Sequence, residues 1–134
     1  MTAYKGGSLY VSFAGDSGTV TLSTDFTQLT TTQSIALLDQ SAGADTNRTY
    51  VNSLKDETVA VTFKQQSGGT TLPNALASGA SGTLTWGEQG TSASSPKHEL
   101  PCISQGAAMN IPFDNLVEIS CTFQGNGARV DSTY

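Results

Sequence analysis

Apolar and polar residues alternate in several short segments of this chain, and the clearest of them is 58–64. Alternation with a period of two is typical of a β-strand that buries one face and exposes the other. A second segment, 116–124, alternates in the same way near the end of the chain. The residues predicted to face inward on these two strands are Val59, Val61, Phe63, Val117, Ile119, Cys121 and Phe123.

Two alternating segments near the N-terminus, 8–13 and 19–25, are predicted to form a β-hairpin. The turn between them is short and contains Gly and Asp, which suits a hairpin connection of three to five residues. Further strands are predicted at 26–38, 83–86 and 98–103, with a short strand or bend at 107–111. Pro101 cannot donate a ladder hydrogen bond, so we expect its strand to be broken or to lie at a sheet edge.

Segment 70–79 is the one good helix candidate. Thr71 can cap its N-terminus, Pro73 is tolerated in the first turn, and Gly79 can end it. A helix of about two turns is not stable alone and must pack on a sheet. Seven or eight strands with one such helix predict a mainly β fold. We expect an antiparallel β-sandwich or partly open barrel with one short flanking α-helix.

A long polar segment without a usable period, 39–52, precedes the strand at 58–64, and a charged turn at 53–57 joins them. A loop of this length inside a compact domain is usually functional or disordered. Ordering it costs about 1–2 kcal/mol per residue in backbone entropy. Two interpretations therefore stand: the loop becomes ordered when a neighbouring subunit buries it, or it is disordered. A second polar loop is predicted at 87–97.

The chain of 134 residues is long enough for one domain with its own core. Its net charge of −5 provides no basic surface for gripping nucleic acid, although nucleic acid can slide past an acidic surface. No segment has the length and hydrophobicity of a membrane helix, and residues 1–7 lack the apolar region of an export signal. We therefore expect no membrane association.

Candidate catalytic and metal-binding residues are few. His98 is the single histidine, and we expect a solvated residue at a strand end. Cys102 and Cys121 are too few for a disulfide scaffold and lack metal-binding spacing, so free thiols are favoured over a disulfide between them. Asp39 and Asp45 with Asn47 lack the spacing of a calcium loop. The sequence predicts no enzyme, no cofactor and no metal site.

The order of the elements resembles that of the tail tube (major tail) proteins of long-tailed bacteriophages. Residues 6–16 are similar to the family's opening strand and turn, and 48–63 to its tyrosine, short turn and strand. Residues 82–86 are similar to the strand after the small helix, and 111–127 to the closing strand with its proline, Asp and glycine-terminated end. The likeness covers most of the chain and is looser at 35–45.

This resemblance implies a structural subunit of a virion tail that assembles, in the host bacterial cytoplasm, into hexameric rings. The rings stack into a hollow tube through which DNA passes without specific binding. The implied partners are other copies of the chain and the tape-measure, tail-tip and tail-terminator proteins. Segment 39–52 would reach the adjacent ring, and the N-terminal arm 1–7 and the C-terminal tail 125–134 would contact neighbouring subunits.

The candidate residues for contacts between subunits or rings lie in and beside this loop. Arg48 and Tyr50 are best suited to anchor it, because arginine and tyrosine dominate many protein interfaces. The full candidate set is Asp39, Asp45, Asn47, Arg48, Tyr50, Lys55 and Asp56.

A binding module is the alternative class of function. The same β-domain would suit another virion protein, such as a capsid decoration, or an immunoglobulin-like domain that binds a carbohydrate or a receptor. Such a module would be a stable monomer with a discrete docking face, whereas a tube subunit would assemble into rings.

Overall fold

The computed structural model describes residues 3, 5–15, 18–23, 26–64 and 76–134, and across these ranges it shows one antiparallel sheet of eight strands. A single 3-10 turn, Gly6–Ser8, precedes the first strand. The strands are β1 Tyr10–Gly15, β2 Gly18–Thr21, β3 Phe26–Asp39, β4 Tyr50–Lys64, β5 Ser81–Gly87, β6 Pro96–Asn110, β7 Glu118–Gly125 and β8 Val130–Thr133.

The spatial order of the strands is β2-β1-β5-β6-β7-β4-β3, and β8 pairs with β6. The sheet curls. This is seen from the Phe13 ring of β1, which lies 5.0 Å from the Phe123 ring of β7 although two strands separate β1 from β7 in the sheet. Both rings are fully buried. The mainly β fold predicted from the alternating pattern is confirmed, and the sheet forms a partly open barrel around one core.

The predicted inward faces form this core, except that Val117 lies before β7 and is only partly buried. Val59, Val61 and Phe63 of β4 are fully buried, and Phe63 lies opposite Ile119 of β7. The N-terminal hairpin is confirmed, since β1 and β2 pair from Ser12↔Thr21 to Gly15↔Gly18. Alternation predicted these elements well because each buries one face only.

Strand β6 is one continuous strand of 15 residues, so the predicted break at Pro101 was wrong. The Pro101 carbonyl accepts a hydrogen bond from Asn126 N (2.8 Å), so the proline nitrogen faces the same side, where β7 has ended and β8 has not begun. The missing N–H therefore breaks no ladder bond. Further along, the register shifts between Ser104 and Ala107, where Gly106 has a φ of 109° that suits a bulge.

The predicted loop at 39–52 was too long, and the charged turn at 53–57 was wrong. Strand β3 extends to Asp39, and β4 already begins at Tyr50, so only residues 40–49 connect the two strands. Residues 53–57 belong to β4. The pairing of this part of β4 with β3 shifts its register once, between Ile35 and Leu37 of β3. The two strands form a long hairpin instead of a loop followed by a strand.

The polar tail predicted at 125–134 is also structured. Residues Val130–Thr133 form β8, which pairs with Pro96–Glu99 of β6. At the terminus, Tyr134 N donates to Ser95 O and Ser94 N donates to Tyr134 O, both at 3.0 Å. Strand β8 thus continues along the same edge of β6 that β7 occupies.

Most of the predicted helix at 70–79 lies outside the described residues, which resume at Leu76. The Leu76 side chain is fully buried, and its carbonyl accepts a hydrogen bond from Ser104 Oγ (2.9 Å). Residues 76–79 form turns in front of β5. No helix among the described residues has the length and apolar character needed to cross a bilayer.

Replacing Phe123 by Ala should destabilise the fold strongly, because it removes half of the Phe13–Phe123 contact from a fully buried site. The expected loss of unfolding free energy is about 3–5 kcal/mol. Phe113→Ala is the matched control: this side chain is fully exposed, and its loss should change stability by less than about 0.5 kcal/mol. Urea unfolding of the unassembled proteins measures both. Equal effects would contradict the assigned core.

Candidate assembly surfaces

The outer half of the β3–β4 hairpin projects beyond the rest of the sheet. Strand β7 pairs with β4 only from Thr58 onward, so residues before Thr58 are paired with β3 alone. We call the projecting part, residues 33–57, the distal ribbon. It consists of two strands and the connecting residues 40–49.

Both faces of the distal ribbon carry exposed apolar side chains. Leu38 and Val51 lie directly opposite each other and share one face, and they are 56% and 46% exposed. Ile35, Leu37 and Tyr50 share the other face, because side chains alternate along each strand. A ribbon with one face in water would carry polar residues there. Exposed apolar residues on both faces make this ribbon a candidate interaction surface.

The connecting residues 40–49 hold a turn through hydrogen bonds of their own. Asp39 Oδ1 accepts from Ser41 N (2.9 Å), and Asp45 Oδ2 accepts from Ala42 N (2.7 Å). Ser41 Oγ accepts from Thr49 N (2.8 Å). The hydrogen bonds from Ser41 lower the pKa of Asp39, so this carboxylate stays ionised and keeps the turn in place. The turn therefore has local structure that does not depend on a neighbour.

All seven residues predicted from sequence as contact residues lie on the distal ribbon. Asp39, Tyr50, Lys55 and Asp56 are on strands, and the other three are in the turn. Asp56 accepts a hydrogen bond from the Gln124 amide. Their role in contacts between subunits stays a prediction. The residues in the turn are Asp45, Asn47 and Arg48.

A second exposed apolar surface lies at the β6–β7 turn, and sequence reasoning missed it. Phe113 is fully exposed at 105%, and three further apolar residues around it are 49–69% exposed. An ion pair between Lys64 and Glu118 stands at the base of this turn. We call the surface the apolar finger; it consists of Met109, Ile111, Phe113 and Leu116. The sequence feature that could have revealed this surface was a cluster of apolar residues inside a predicted turn.

Strand β3 leaves its outer edge open, since among the described strands it pairs with β4 alone. Residues 26–38 contain no Lys, Arg, Pro or Gly. Proteins usually protect a long edge strand with charges, proline or bulges, because an open edge can pair with another chain. Apart from register shifts at 26–28 and 35–37, the edge of β3 lacks these protections, and its backbone groups are open to pairing.

A groove of ≈630 Å³ runs between the distal ribbon and the segment that joins β7 to β8. Arg129 lies in it and donates from Nη1 to Glu57 Oε1 (2.7 Å), and its Nε lies 3.0 Å from Asp131 Oδ1. The guanidinium carbon is 5.9 Å from the centre of the Trp86 ring. Because Glu57 is almost fully buried, this ion pair fixes the base of the ribbon against the body of the sheet.

His98 lies between two carboxylates, so the prediction of a solvated residue was wrong. Its Nδ1 is 2.6 Å from Asp131 Oδ1 and its Nε2 is 2.9 Å from Glu88 Oε2, and its side chain is only 20% exposed. The Trp86 ring packs 5.4 Å away. Both imidazole nitrogens are engaged, so neither is available to activate a nucleophile. The arrangement instead joins β8 to β6 and to the β5–β6 loop.

The two cysteines are buried free thiols, as the sequence predicted. Burial raises the pKa of Cys102 to about 11 and also raises the pKa of Cys121. Both thiols are therefore poor nucleophiles. No group of three His, Cys, Asp or Glu side chains with the geometry of a metal site occurs in the described part of the chain.

No protein-family model and no curated protein matches this sequence. Solved structures do resemble the fold over almost the whole chain. The tail of an empty gene transfer agent (GTA) particle with C6 symmetry matches with a TM-score of 0.75 and 8% identity, covering 98% of this chain and 100% of that one. The SPP1 tail tube matches with a TM-score of 0.78 and 12% identity, covering 98% and 80%.

The baseplate of the anti-feeding prophage (AFP) also matches, with a TM-score of 0.69 and 7% identity, covering 99% of this chain and 97% of that one. Identities this low show that the fold is shared. The shared fold includes 98–99% of this chain and 80–100% of the compared chains, so the resemblance read from the order of elements in the sequence extends to the three-dimensional structure.

Replacing His98 by Gln should make stability less dependent on pH. Burial lowers the pKa of His98, but hydrogen bonds to Asp131 and Glu88 outweigh it and raise the pKa above its ordinary value. The stabilisation that these two hydrogen-bonded carboxylates provide is therefore complete below the pKa of His98 in the unfolded chain, about 6.5. It is lost as the pH rises through the higher pKa that His98 has in the folded protein.

We expect the stability difference between wild type and H98Q to be larger at pH 5.5 than at pH 8.5. Urea unfolding of unassembled protein at the two pH values measures it. Ser132→Ala on the exposed β8 is the control, and its effect should be the same at both values. A difference for H98Q that grew towards pH 8.5 would contradict the assigned ion pairs.

Proposed function

We propose that this protein is the repeating subunit of a bacteriophage-type tail tube, in which copies form six-membered rings and the rings stack. The observation that carries the proposal is the likeness of nearly the whole chain to proteins of a C6-symmetric tail and of a tail tube.

Two features of the chain itself support assembly. The distal ribbon exposes apolar side chains on both faces, and β3 exposes a long unprotected edge. Each would reduce solubility and promote unwanted pairing in a protein that worked as a monomer. Both features become favourable when other copies cover them.

Ring closure requires that two different surfaces of the subunit meet. A contact between unlike surfaces closes into a ring when its rotation divides a full turn evenly. The edge of β3 is suited to be one of these surfaces, because its free backbone groups can extend the sheet into the next subunit.

The tube would enclose a channel through which DNA passes without specific binding. A net charge of −5 favours this role, because acidic walls repel phosphate and do not hold the DNA back. The tape-measure, tail-tip and tail-terminator proteins are the expected partners, and the expected location is the tail of a virion assembled in the bacterial cytoplasm. The proposal assigns no enzymatic activity to the chain.

A ring in a baseplate or tail tip is the second candidate, favoured by the likeness to the AFP baseplate. Such a subunit would form rings that do not stack indefinitely. The capsid decoration and the carbohydrate- or receptor-binding domain considered from the sequence would remain monomeric or bind elsewhere. Electron microscopy of purified protein separates the three outcomes as tubes, single rings and monomers.

Proline substitutions in β3 should test ring closure through its open edge. Consecutive residues of an antiparallel strand direct their N–H groups to opposite edges. Of T31P and T32P, one therefore removes a hydrogen bond to β4, and the other removes only a donor on the open edge. The two variants are thus matched controls for each other.

The variant that loses only the open-edge donor should keep a thermal midpoint near that of the wild type yet form no rings. The other should unfold at a lower temperature, because a ladder bond is lost. Differential scanning calorimetry and negative-stain microscopy measure the two properties. Normal ring formation by the more stable variant would show that β3 does not close the ring.

A further inference from the structure

We infer that the apolar finger of one copy docks on one face of the distal ribbon of the next copy along the tube. The face carries Ile35, Leu37, Tyr50 and Lys55, with Asp39 and Asn52 beside them, and we call it the inner ribbon face. This inference rests on the proposed function, and it names the surface on the neighbouring copy that the ribbon contacts.

The two surfaces lie at opposite ends of the same sheet. The apolar finger lies where β6 ends at Asn110. Asn110 pairs with Glu118 of β7, and Glu118 in turn pairs with Lys64 at the end of β4. The ribbon begins where β4 begins, at Tyr50. Lys55 and Tyr50 lie 9 and 14 residues before Lys64 on β4, so the two surfaces are roughly 30–50 Å apart at about 3.3 Å per residue.

Surfaces at opposite ends cannot meet within one copy, but they can meet between successive copies. A head-to-tail contact of this kind joins unlike surfaces and repeats without limit when its rotation does not close. It therefore extends an assembly along the strand direction, whereas pairing through the β3 edge extends it across the strands.

The apolar finger and the inner ribbon face both expose apolar side chains, so each can cover those of the other. The finger presents Phe113, and an aromatic side chain buries roughly 150–250 Å² on docking. The inner ribbon face presents Leu37 and Tyr50, which are 54% and 49% exposed. An exposed aromatic ring beside an exposed aliphatic surface is the usual composition of an interface centre.

The charges next to the apolar residues are also complementary. Asp114 follows Phe113 on the finger, and Lys55 lies directly opposite Ile35 on the inner ribbon face. Neither Asp114 nor Lys55 forms an ion pair among the described residues, and the same is true of Arg48 in the turn. The carboxylates of Asp39 and Asp45 keep their charge but accept hydrogen bonds from the backbone N–H groups of Ser41 and Ala42 within the turn.

Cross-linking between single-cysteine variants tests the contact and the choice of face. F113C is mixed with L37C or, as the matched control, with L38C, and a short bismaleimide is added. Leu37 and Leu38 are adjacent, equally apolar and similarly exposed, but they lie on opposite faces. The native thiols are buried with raised pKa values and should not react.

The 113–37 cross-linked peptide should form with a yield on the order of tenfold above the 113–38 peptide, because docking raises the effective concentration of one pair only. Mass spectrometry of the digested mixture measures both. Equal yields, or more of the 113–38 peptide, would overturn the assigned face. Wild-type protein treated in the same way sets the background.

Electron microscopy of the same mixtures separates this inference from the proposed function. Tubes without the 113–37 peptide would overturn the docking and leave the tube function standing. The peptide without tubes would support the docking and count against the tube. If neither formed, both would be wrong. F113D should keep the thermal midpoint of the unassembled protein but form rings that fail to stack, because it places a carboxylate in the apolar contact where the cysteine of F113C is small and uncharged. Normal tubes from F113D would overturn the docking.

Discussion

An open β-sheet leaves backbone donors and acceptors unpaired along its edges, and this constraint dominates the structure. The described strands form a sheet that curls around its core but does not close, so β2 and β3 are its edges. Strand β2 is only four residues long, whereas β3 has 14. The chain does not protect the longer edge with charge or proline. We propose that other copies of the chain complete a sheet built in this way.

The core and the ionic clusters make the rest of the molecule a rigid base for these exposed surfaces. The Phe13–Phe123 contact joins the two halves of the curled sheet. Arg129 connects the base of the distal ribbon to β8, and His98 connects β8 to β6 and to the β5–β6 loop. The ribbon and the finger thus project from opposite ends of one body, which suits a subunit that must repeat with fixed geometry.

The sequence predicted the elements that bury one face and failed for those that do not. Alternation identified the β1–β2 hairpin and β7, and the inward face of β4, because a single buried face imposes a period of two. The distal ribbon has apolar residues on both faces and shows no clear period, so only its part up to Leu38 was predicted as a strand, and 39–52 was interpreted as a loop.

Long-range pairing was the second limit. The partners of β8 and the two carboxylates around His98 come together only through the topology, and Pro101 fits a central strand only because β7 and β8 leave a gap beside it. Electron microscopy of the concentrated wild-type protein is the most direct test of the proposed assembly into stacked rings. The account predicts hollow tubes of stacked six-membered rings, and protein that stays monomeric at every concentration would contradict it.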